Sequence, residues 1–128
     1  MKKVEAIISP HKLEDVRDSL LARGIEGLSV TEVCGTGHEP VRVSYYRGTP
    51  YDIAFHPKVK LETVVCDEDA MPTAYAIMNA ARTGRVGDGK VTIAAVEDVV
   101  RIRTGEHGPA AIRTLVEPVV EERWAAQG

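Results

Sequence analysis

The sequence predicts a single α+β domain in which two helices lie on one face of an antiparallel sheet. The chain has 128 residues, which suits one domain built around one core. Hydrophobic residues make up 44% and charged residues 27%, as in globular proteins, and no stretch approaches the ~20 apolar residues of a membrane span. Segments with strand-like and helix-like spacing follow one another in the order strand, helix, strand, strand, helix, strand.

The first half of the chain contains a strand, a helix and a second strand. The β-branched and partly alternating segment 3–9 predicts a strand that stops at Pro10, because proline cannot donate to a sheet. Apolar residues in segment 12–21 fall at helical spacing, and Gly24 ends this helix. Apolar and polar residues alternate in segment 27–34, which indicates a half-buried strand.

The second half begins with a long connection. Residues 35–57 contain three glycines and three prolines and predict a long functional loop with a short extended piece at 41–45. The alternation in segment 58–65 predicts a strand with one buried face. Segment 90–95 predicts the last strand. Segment 71–82 predicts a helix, and its apolar stripe comprises Met71, Ala74, Tyr75, Met78 and Ala81.

This order of elements is that of the ferredoxin-like sandwich, βαββαβ. The helices of such a domain cover one face of the sheet, and self-association is the commonest cover for the other, so we expect an oligomer. Segment 101–106 predicts a polar turn or an edge strand. The tail from Ala110 carries apolar residues on both sides of Pro118 and predicts one or two short amphipathic helical turns.

Charge and cysteine content argue against several classes of function. The net charge is -3 with no long run of like charges, which argues against nucleic acid as a partner. Cys34 and Cys66 are too far apart for paired zinc-site spacing, so we expect two reduced thiols. The first residues lack the apolar stretch of a secretory signal, which makes the cytoplasm the expected location.

No catalytic constellation of side chains is recognisable. The histidines are scattered along the chain, and the carboxylates at 67–69 stand at a predicted helix start, where we expect them to cap the helix. A metal site formed by Cys34, His38 and His56 is an alternative on ligand chemistry alone.

The most informative segment is the glycine-rich stretch 83–90. Its three glycines can turn backbone N–H groups toward a ligand and Lys90 adds a positive charge, which suits a di- or triphosphate. It is not the P-loop of NTPases, because Val91 replaces the magnesium-binding Ser or Thr and a helix precedes the loop. Arg101 and Arg103 would point to the same side of an extended segment and bind phosphate oxygens. Each segment alone is equally consistent with solvated basic residues; together they predict a phosphate site.

Six stretches of the sequence together resemble the PII nitrogen-regulatory signal-transduction proteins: residues 2–8, 30–33, 46–51, 57–60, 80–90 and 100–106. The resemblance covers a domain at residues 1–108 and leaves 109–128 as a C-terminal extension. It implies a homotrimer of ferredoxin-like subunits that is not an enzyme and binds ATP or ADP in clefts between subunits. Residues 37–55 resemble the family's T-loop, which docks on target proteins such as a membrane transporter or a metabolic enzyme.

The resemblance also assigns residues to the nucleotide: Ile7, Ser29, Gly35, Gly37, His38, Glu62, Val64, Thr83, Gly87, Asp88, Gly89, Lys90, Arg101 and Arg103. Of these, Gly87, Gly89 and Lys90 would hold the phosphates. Arg101 and Arg103 would reach the same nucleotide across the subunit boundary. The residues around adenine and ribose would be Ile7, Ser29, Glu62 and Val64.

The chain departs from the family at the base of the T-loop, where His38, Glu39 and Pro40 replace the typical Arg-Gln-Lys. A Glu39 carboxylate ~4 Å from a ligand carboxylate costs roughly 4 kcal/mol at an effective dielectric near 20, about three decades in affinity. Lys58, the family's counter-charge for 2-oxoglutarate, is retained, and Glu39 can itself ligate Mg²⁺. We therefore expect nucleotide binding with weakened or replaced 2-oxoglutarate binding.

Three further expectations follow from the resemblance and its departures. Because His38 is mostly neutral at pH 7, nucleotides with fewer phosphates, ADP or AMP, would compete better. Tyr51 stands where some members carry a tyrosine that receives a nucleotidyl group. The alternatives are a PII-like sensor of another effector, such as bicarbonate or a metal ion, and a metal-tolerance trimer of the same architecture that binds no nucleotide.

Overall fold

A computed structural model describes residues 1–36 and 55–112, together with the backbone of 42–46 and 49–53. The elements along the chain are β1 (Lys2–Ile8), α1 (Leu13–Ala22), β2 (Ser29–Gly35), β3 (Arg42–Tyr46), β4 (Thr49–Ile53), β5 (His56–Val65), α2 (Ala70–Ala81), β6 (Gly89–Ala95) and α3 (Pro109–Ile112). Short 3-10 helices at Pro10–Lys12 and Asp67–Asp69 lead into α1 and α2. In the described ranges no helix is long and apolar enough to cross a membrane.

The main sheet has four antiparallel strands in the order β2-β5-β1-β6. Apart from a separate β3–β4 hairpin, the elements follow the order strand, helix, strand, strand, helix, strand. The predicted α+β, ferredoxin-like architecture is therefore confirmed. Every predicted strand and helix of this plan begins and ends within two residues of the observed one.

The hydrophobic core lies between the two helices and one face of the sheet. Alternate residues of a strand point to the same face, so β1 and β5 each bury every second side chain. The buried apolar residues of this core are Val4, Ala6, Ile8, Val16, Leu20, Val59, Leu61, Val65, Ala70, Ile77 and Ala81. This single-sided burial explains why the alternation in β5 predicted the strand so well.

The opposite face of the sheet carries charges that pair across neighbouring strands. Glu5 on β1 and Glu62 on β5 are directly opposed, a position at which like charges repel. Lys3 Nζ lies 3.5 Å from the Glu62 carboxylate, and Lys60 Nζ lies 3.7 Å from the Glu5 carboxylate. Each carboxylate is thus compensated by a lysine on its diagonal.

The outward face of α2 differs from the predicted one. The helix buries Ala70, Thr73, Ile77 and Ala81. The large residues of the predicted apolar stripe, Met71, Tyr75 and Met78, are instead 50%, 53% and 40% exposed. These large residues share one side of the helix, as their spacing predicts, but that side faces outward, because α2 has no charged residue to mark its outer side and small residues let it approach the sheet closely.

The long connection between β2 and β5 contains a hairpin. Residues Arg42–Tyr46 pair antiparallel with Thr49–Ile53. The extended piece predicted at 41–45 is confirmed. Its partner strand was missed because Gly48 and Pro50 are residues typical of loops.

The three carboxylates at 67–69 form the 3-10 turn ahead of α2, and the prediction that they cap this helix is wrong. No side-chain hydrogen bond caps α2 at Asp69. Asp67 Oδ1 instead accepts a hydrogen bond of 2.7 Å from the N-terminal ammonium of Met1. This ammonium holds the pKa of Asp67 below its ordinary value. The contact ties the start of β1 to the segment that leads into α2.

Candidate functional site

The glycine-rich loop between α2 and β6 is closed by Asp88. Its carboxylate accepts hydrogen bonds of 2.9 Å from the backbone N–H of Thr83 and of Gly84, and another from the Thr83 hydroxyl. The Thr83 hydroxyl first, and then these backbone amides, hold the pKa of Asp88 below its ordinary value. Two amides of the loop are thereby used to fix its shape, so they are not the ones that would face a phosphate.

Gly89, the first residue of β6, lies against β1. Its φ is +100°, and a Cβ at this position would overlap the carbonyl oxygen of Ile7. Close approach of the two strands therefore requires glycine here. Gly89 and Ile7, both predicted to bind the nucleotide, are in contact because β1 and β6 approach each other closely here.

Lys58 connects the glycine-rich loop to β5. Its Nζ donates a hydrogen bond of 2.6 Å to the carbonyl oxygen of Gly87, and the Ser9 hydroxyl donates to the same oxygen at 3.5 Å. Lys58 is only 8% exposed, and a Cβ at Gly35 would lie 3.3 Å from its Cγ. The structure thus brings Gly35, Lys58 and Gly87 together.

Two cations lie beside this closed loop. Arg85 and Lys90 are exposed, and neither forms an ion pair within the part of the chain that the structure describes. The register places Lys90 opposite Ile7, and Ile7 opposite Lys60. These three side chains therefore form one row on the sheet face that the helices leave open.

The segment with Arg101 and Arg103 forms a turn. Val100 and His107 form an isolated antiparallel bridge, and residues 102–104 turn between them. The predicted polar turn is confirmed. The extended alternative is wrong, and with it the argument that both guanidinium groups must share a side. Arg101 is partly buried, whereas Arg103 is exposed on the turn.

Asp98 holds the base of this turn. Its Oδ2 lies 3.0 Å from His107 Nδ1, and its Oδ1 accepts hydrogen bonds from the backbone N–H of Val99 at 2.8 Å and of Gly108 at 3.1 Å. The His107 contact first, and then these amides, hold the pKa of Asp98 below its ordinary value.

The guanidinium of Arg101 links the turn to α3. Its Nη1 lies 3.4 Å from the Glu106 carboxylate, and its Nη2 donates a hydrogen bond of 3.1 Å to the carbonyl oxygen of Ala111. The Thr104 hydroxyl donates to the same Glu106 carboxylate at 2.8 Å. Glu106 therefore positions Arg101 from within the turn.

A cavity of about 1000 Å³ lies beside the start of β2. Residues 23–28, the first turn of α2 and α3 form much of its wall. Four of the residues predicted at the nucleotide line it: Ser29, Glu62, Val64 and Arg101. The cavity therefore unites residues that lie more than 70 positions apart in the chain.

The predicted residues fall into two groups on one chain. The loop group comprises Ile7, Gly35, Lys58, Thr83, Gly87, Asp88, Gly89 and Lys90. The cavity group comprises Ser29, Glu62, Val64 and Arg101. Lys58 and Val64 stand six positions apart on β5, a separation of roughly 20 Å along an extended strand. The two groups thus lie toward opposite ends of the sheet.

Comparison with known proteins identifies the family. The sequence pattern of the family described as "Nitrogen regulatory protein P-II" matches residues 1–106. This chain belongs to the P-II family. A relative named Nitrogen regulatory protein P-II from Pasteurella multocida (strain Pm70) is 53% identical over 112 residues, which cover 88% of this chain and all of the relative. Relatives of the same name from Rhizobium meliloti (strain 1021) and Cereibacter sphaeroides are 51% and 49% identical with the same coverage.

The P-II assignment confirms the resemblance found in the sequence. These names describe regulatory proteins, in agreement with the expectation of a regulator and not an enzyme. Gly37, His38 and Glu39 lie outside the described residues, as does the side chain of Tyr51 on β4. Their assigned roles stay predictions.

The metal hypothesis for this P-II chain receives no support from the described residues. Cys34 and Cys66 are free thiols, as expected. Within the described ranges, the group whose ligand atoms lie within 4.8 Å of one another is Cys66, Glu68 and Asp69, which includes neither Cys34 nor His56. His38, the third residue of that hypothesis, lies outside them.

Sequence reasoning missed two residues that hold the site together. Ser9 contacts the Gly87 carbonyl and Glu106 positions Arg101. Ser9 belongs to no motif with characteristic spacing, and Glu106 lies in the family-like stretch 100–106, which gave it no role. Their roles follow only from the fold, which brings distant segments into contact.

Proposed function

We propose that this P-II chain binds ATP or ADP in clefts between the three copies of a cytoplasmic homotrimer and regulates a target protein through residues 37–55. The single observation that carries the proposal is the position of the loop group and the cavity group at opposite ends of one sheet. Each group offers part of what an adenine nucleotide needs.

The loop group suits the phosphates. Asp88 preorganises the loop, so little conformational entropy is lost when a ligand binds. The exposed cations Arg85 and Lys90 are not neutralised by the described residues, and a polyphosphate supplies the missing negative charge. Mg²⁺, for which Glu39 is an oxygen donor, would accompany ATP there.

The cavity group suits the nucleoside, and its arginine adds a positive charge for the phosphates. A volume of about 1000 Å³ is at the upper end of the range of small-molecule sites. Glu62 and Ser29 offer hydrogen-bonding groups in its wall, and Val64 offers an apolar surface. Arg101 adds a guanidinium, which can donate two parallel hydrogen bonds to the oxygens of one phosphate.

The separation of the loop group and the cavity group supports a nucleotide site built from two copies of the chain. Within one chain Arg101 belongs to the cavity group and not to the loop group, and Lys58 and Val64, the β5 residues of the two groups, stand roughly 20 Å apart. A second copy can bring its own Arg101 to that loop. Such a head-to-tail contact joins two different surfaces, and it closes into a ring when the rotation permits. A trimer of this kind would contain three equivalent clefts.

Titration calorimetry with ATP and ADP tests the proposal. Charge-assisted hydrogen bonds contribute about 1.5–3 kcal/mol, so Lys90→Ala and Arg103→Ala should each weaken binding roughly 10- to 150-fold. The matched control is Arg17→Ala, which removes an exposed arginine paired with its neighbour Asp18 on α1. Absence of heat with either nucleotide, or an equal loss in the control, would contradict the proposal. Sedimentation of the unchanged protein must give a trimer.

The effector arm of the proposal concerns 2-oxoglutarate. We propose that Glu39 weakens its binding by carboxylate repulsion, while Lys58, whose Nζ also donates to the Gly87 carbonyl oxygen, is the counter-charge of this ligand. Glu39→Gln should therefore raise the affinity for 2-oxoglutarate in the presence of MgATP by up to about three decades. Tight binding by the unchanged chain would contradict this, and heat with bicarbonate or a metal ion instead would identify a replacement effector.

The output arm needs a target, for which a membrane transporter or a metabolic enzyme is proposed. Co-purification of the untagged protein from its own cells, with mass-spectrometric identification of bound proteins and nucleotides, tests this arm. Loss of the co-purified protein after replacement of residues 42–53 by a glycine-serine linker is the expected result. Retention of that protein would place the docking surface elsewhere.

A further inference from the structure

Helix α2 is uncharged around its whole circumference and mostly apolar. The twelve residues Ala70–Ala81 include no Asp, Glu, Lys or Arg. A helix of this composition is normally covered on all sides. Its inner side packs on β1 and β6 and on α1. Met71, Tyr75 and Met78, at spacing i, i+4 and i+7, form an outward stripe that the described residues leave about half exposed.

The described chain ends close to this helix. Ala111 and Ile112 of α3 line the same cavity as Asp69 and Thr73, which stand at and near the start of α2. Arg101 holds α3 in place through its hydrogen bond to the Ala111 carbonyl oxygen. Residues 113–128 therefore start at the cavity that reaches the N-terminal end of α2, where the stripe begins.

The composition and length of residues 113–128 match the stripe. Apolar residues recur at short spacing on both sides of Pro118: Leu115, Val116, Val119, Val120 and Trp124. The stripe from Met71 to Met78 is roughly 10 Å long, and even a fully helical segment of this length reaches roughly 20 Å. The segment is long enough to cover the stripe.

We infer that residues 113–128 dock on the outward face of α2 and bury Met71, Tyr75 and Met78 under their apolar side chains. The contact is intramolecular and its tether is short, so a high effective concentration favours it even where the interface is small. The stripe is thus the docking surface of the chain's own C-terminal extension. This inference does not depend on nucleotide binding.

Trp124 makes the inference directly measurable, because it is the only tryptophan in the chain. If the segment docks, the fluorescence of the native full-length protein is blue-shifted and protected from acrylamide, relative to the same protein in denaturant. Tyr75→Glu and Met78→Glu should each lower the docking equilibrium constant about 10-fold or more, since each replaces a large buried apolar side chain with a charge. Emission and quenching then approach those of an exposed tryptophan.

Phe55→Glu is the matched control. Phe55 is 62% exposed and precedes β5, at the end of that strand opposite to the cavity. Phe55→Glu should leave the Trp124 fluorescence unchanged. Circular dichroism checks that all three variants keep their helices. The inference is overturned if native and denatured chains give the same emission, or if Tyr75→Glu and Met78→Glu leave it unchanged. It is equally overturned if the control alters the signal as much, or if the blue shift appears only on raising the concentration or adding a partner protein.

Discussion

Substitution of Gly89 by alanine probes the closest approach between two strands of the sheet. The φ of +100° costs a residue with a Cβ roughly 1–2 kcal/mol. The new methyl group overlaps the Ile7 carbonyl oxygen, so β6 must also shift, and such overpacking costs about 1–3 kcal/mol. We therefore expect Gly89→Ala to lower the free energy of unfolding by about 2–5 kcal/mol.

Two other glycines separate the contributions of φ and of overlap. Gly24 has a φ of +81° with open space around its Cβ position, so Gly24→Ala should cost only the roughly 1–2 kcal/mol of the backbone term. Gly27 has open space and no left-handed φ, so Gly27→Ala should be neutral or stabilising by about 0.4–1 kcal/mol. Urea unfolding at one protein concentration, without nucleotide, measures all three. A Gly89→Ala cost no larger than that of Gly24→Ala would refute the overlap argument.

Two further predictions concern single polar side chains. The pKa of Asp88 is lowered by hydrogen bonds from Thr83, so its contribution to stability is complete above the unfolded value of about 3.9 and is lost as the pH falls through the lower folded value. The urea unfolding midpoint should therefore fall at acid pH, and Asp88→Asn should make this fall smaller. An unchanged fall would contradict the stabilising role of the Asp88 carboxylate. The Thr73 hydroxyl is buried without a hydrogen-bond partner among the described residues, so Thr73→Val should stabilise the fold by about 1 kcal/mol. The Thr63 hydroxyl donates a hydrogen bond of 2.8 Å to the Gly27 carbonyl oxygen, so Thr63→Val should destabilise the fold by about 0.5–1.5 kcal/mol. Urea unfolding measures both variants, and a change of the same sign in their free energies of unfolding would refute this interpretation.

The sequence predicted β1 and β5 well because each of these strands buries alternate side chains. In β5 the apolar and polar residues alternate from Lys58 to Glu62, and the structure buries Val59, Leu61, Thr63 and Val65. The outward side of α2 could not be predicted in the same way, since no charge distinguishes it from the inward side. Periodicity identifies a helix, but only packing decides which side of an uncharged helix meets the sheet.

For the candidate site, the family resemblance named the residues, but only the structure shows which of them contact one another. The contact between Lys58 and Gly87 joins positions 29 apart and depends on how the loop returns to the sheet. The need for glycine at position 89 comes from the neighbouring strand and is invisible in the loop's own sequence. The turn around Arg103 replaced the predicted extended path because Asp98 and Gly108 close it at the base. Such relations follow from tertiary contacts, which spacing along the chain does not encode.

Four charges at the centre of the open sheet face, two central glutamates and a lysine on the diagonal of each, sum to zero. Lys3 and Lys60 balance Glu5 and Glu62, so this patch has almost no electric field at distances beyond a Debye length, about 8 Å at physiological salt. Two such patches neither attract nor repel each other during approach. Contact through this patch must then depend on shape, and the rate of encounter through the patch itself should respond only weakly to ionic strength.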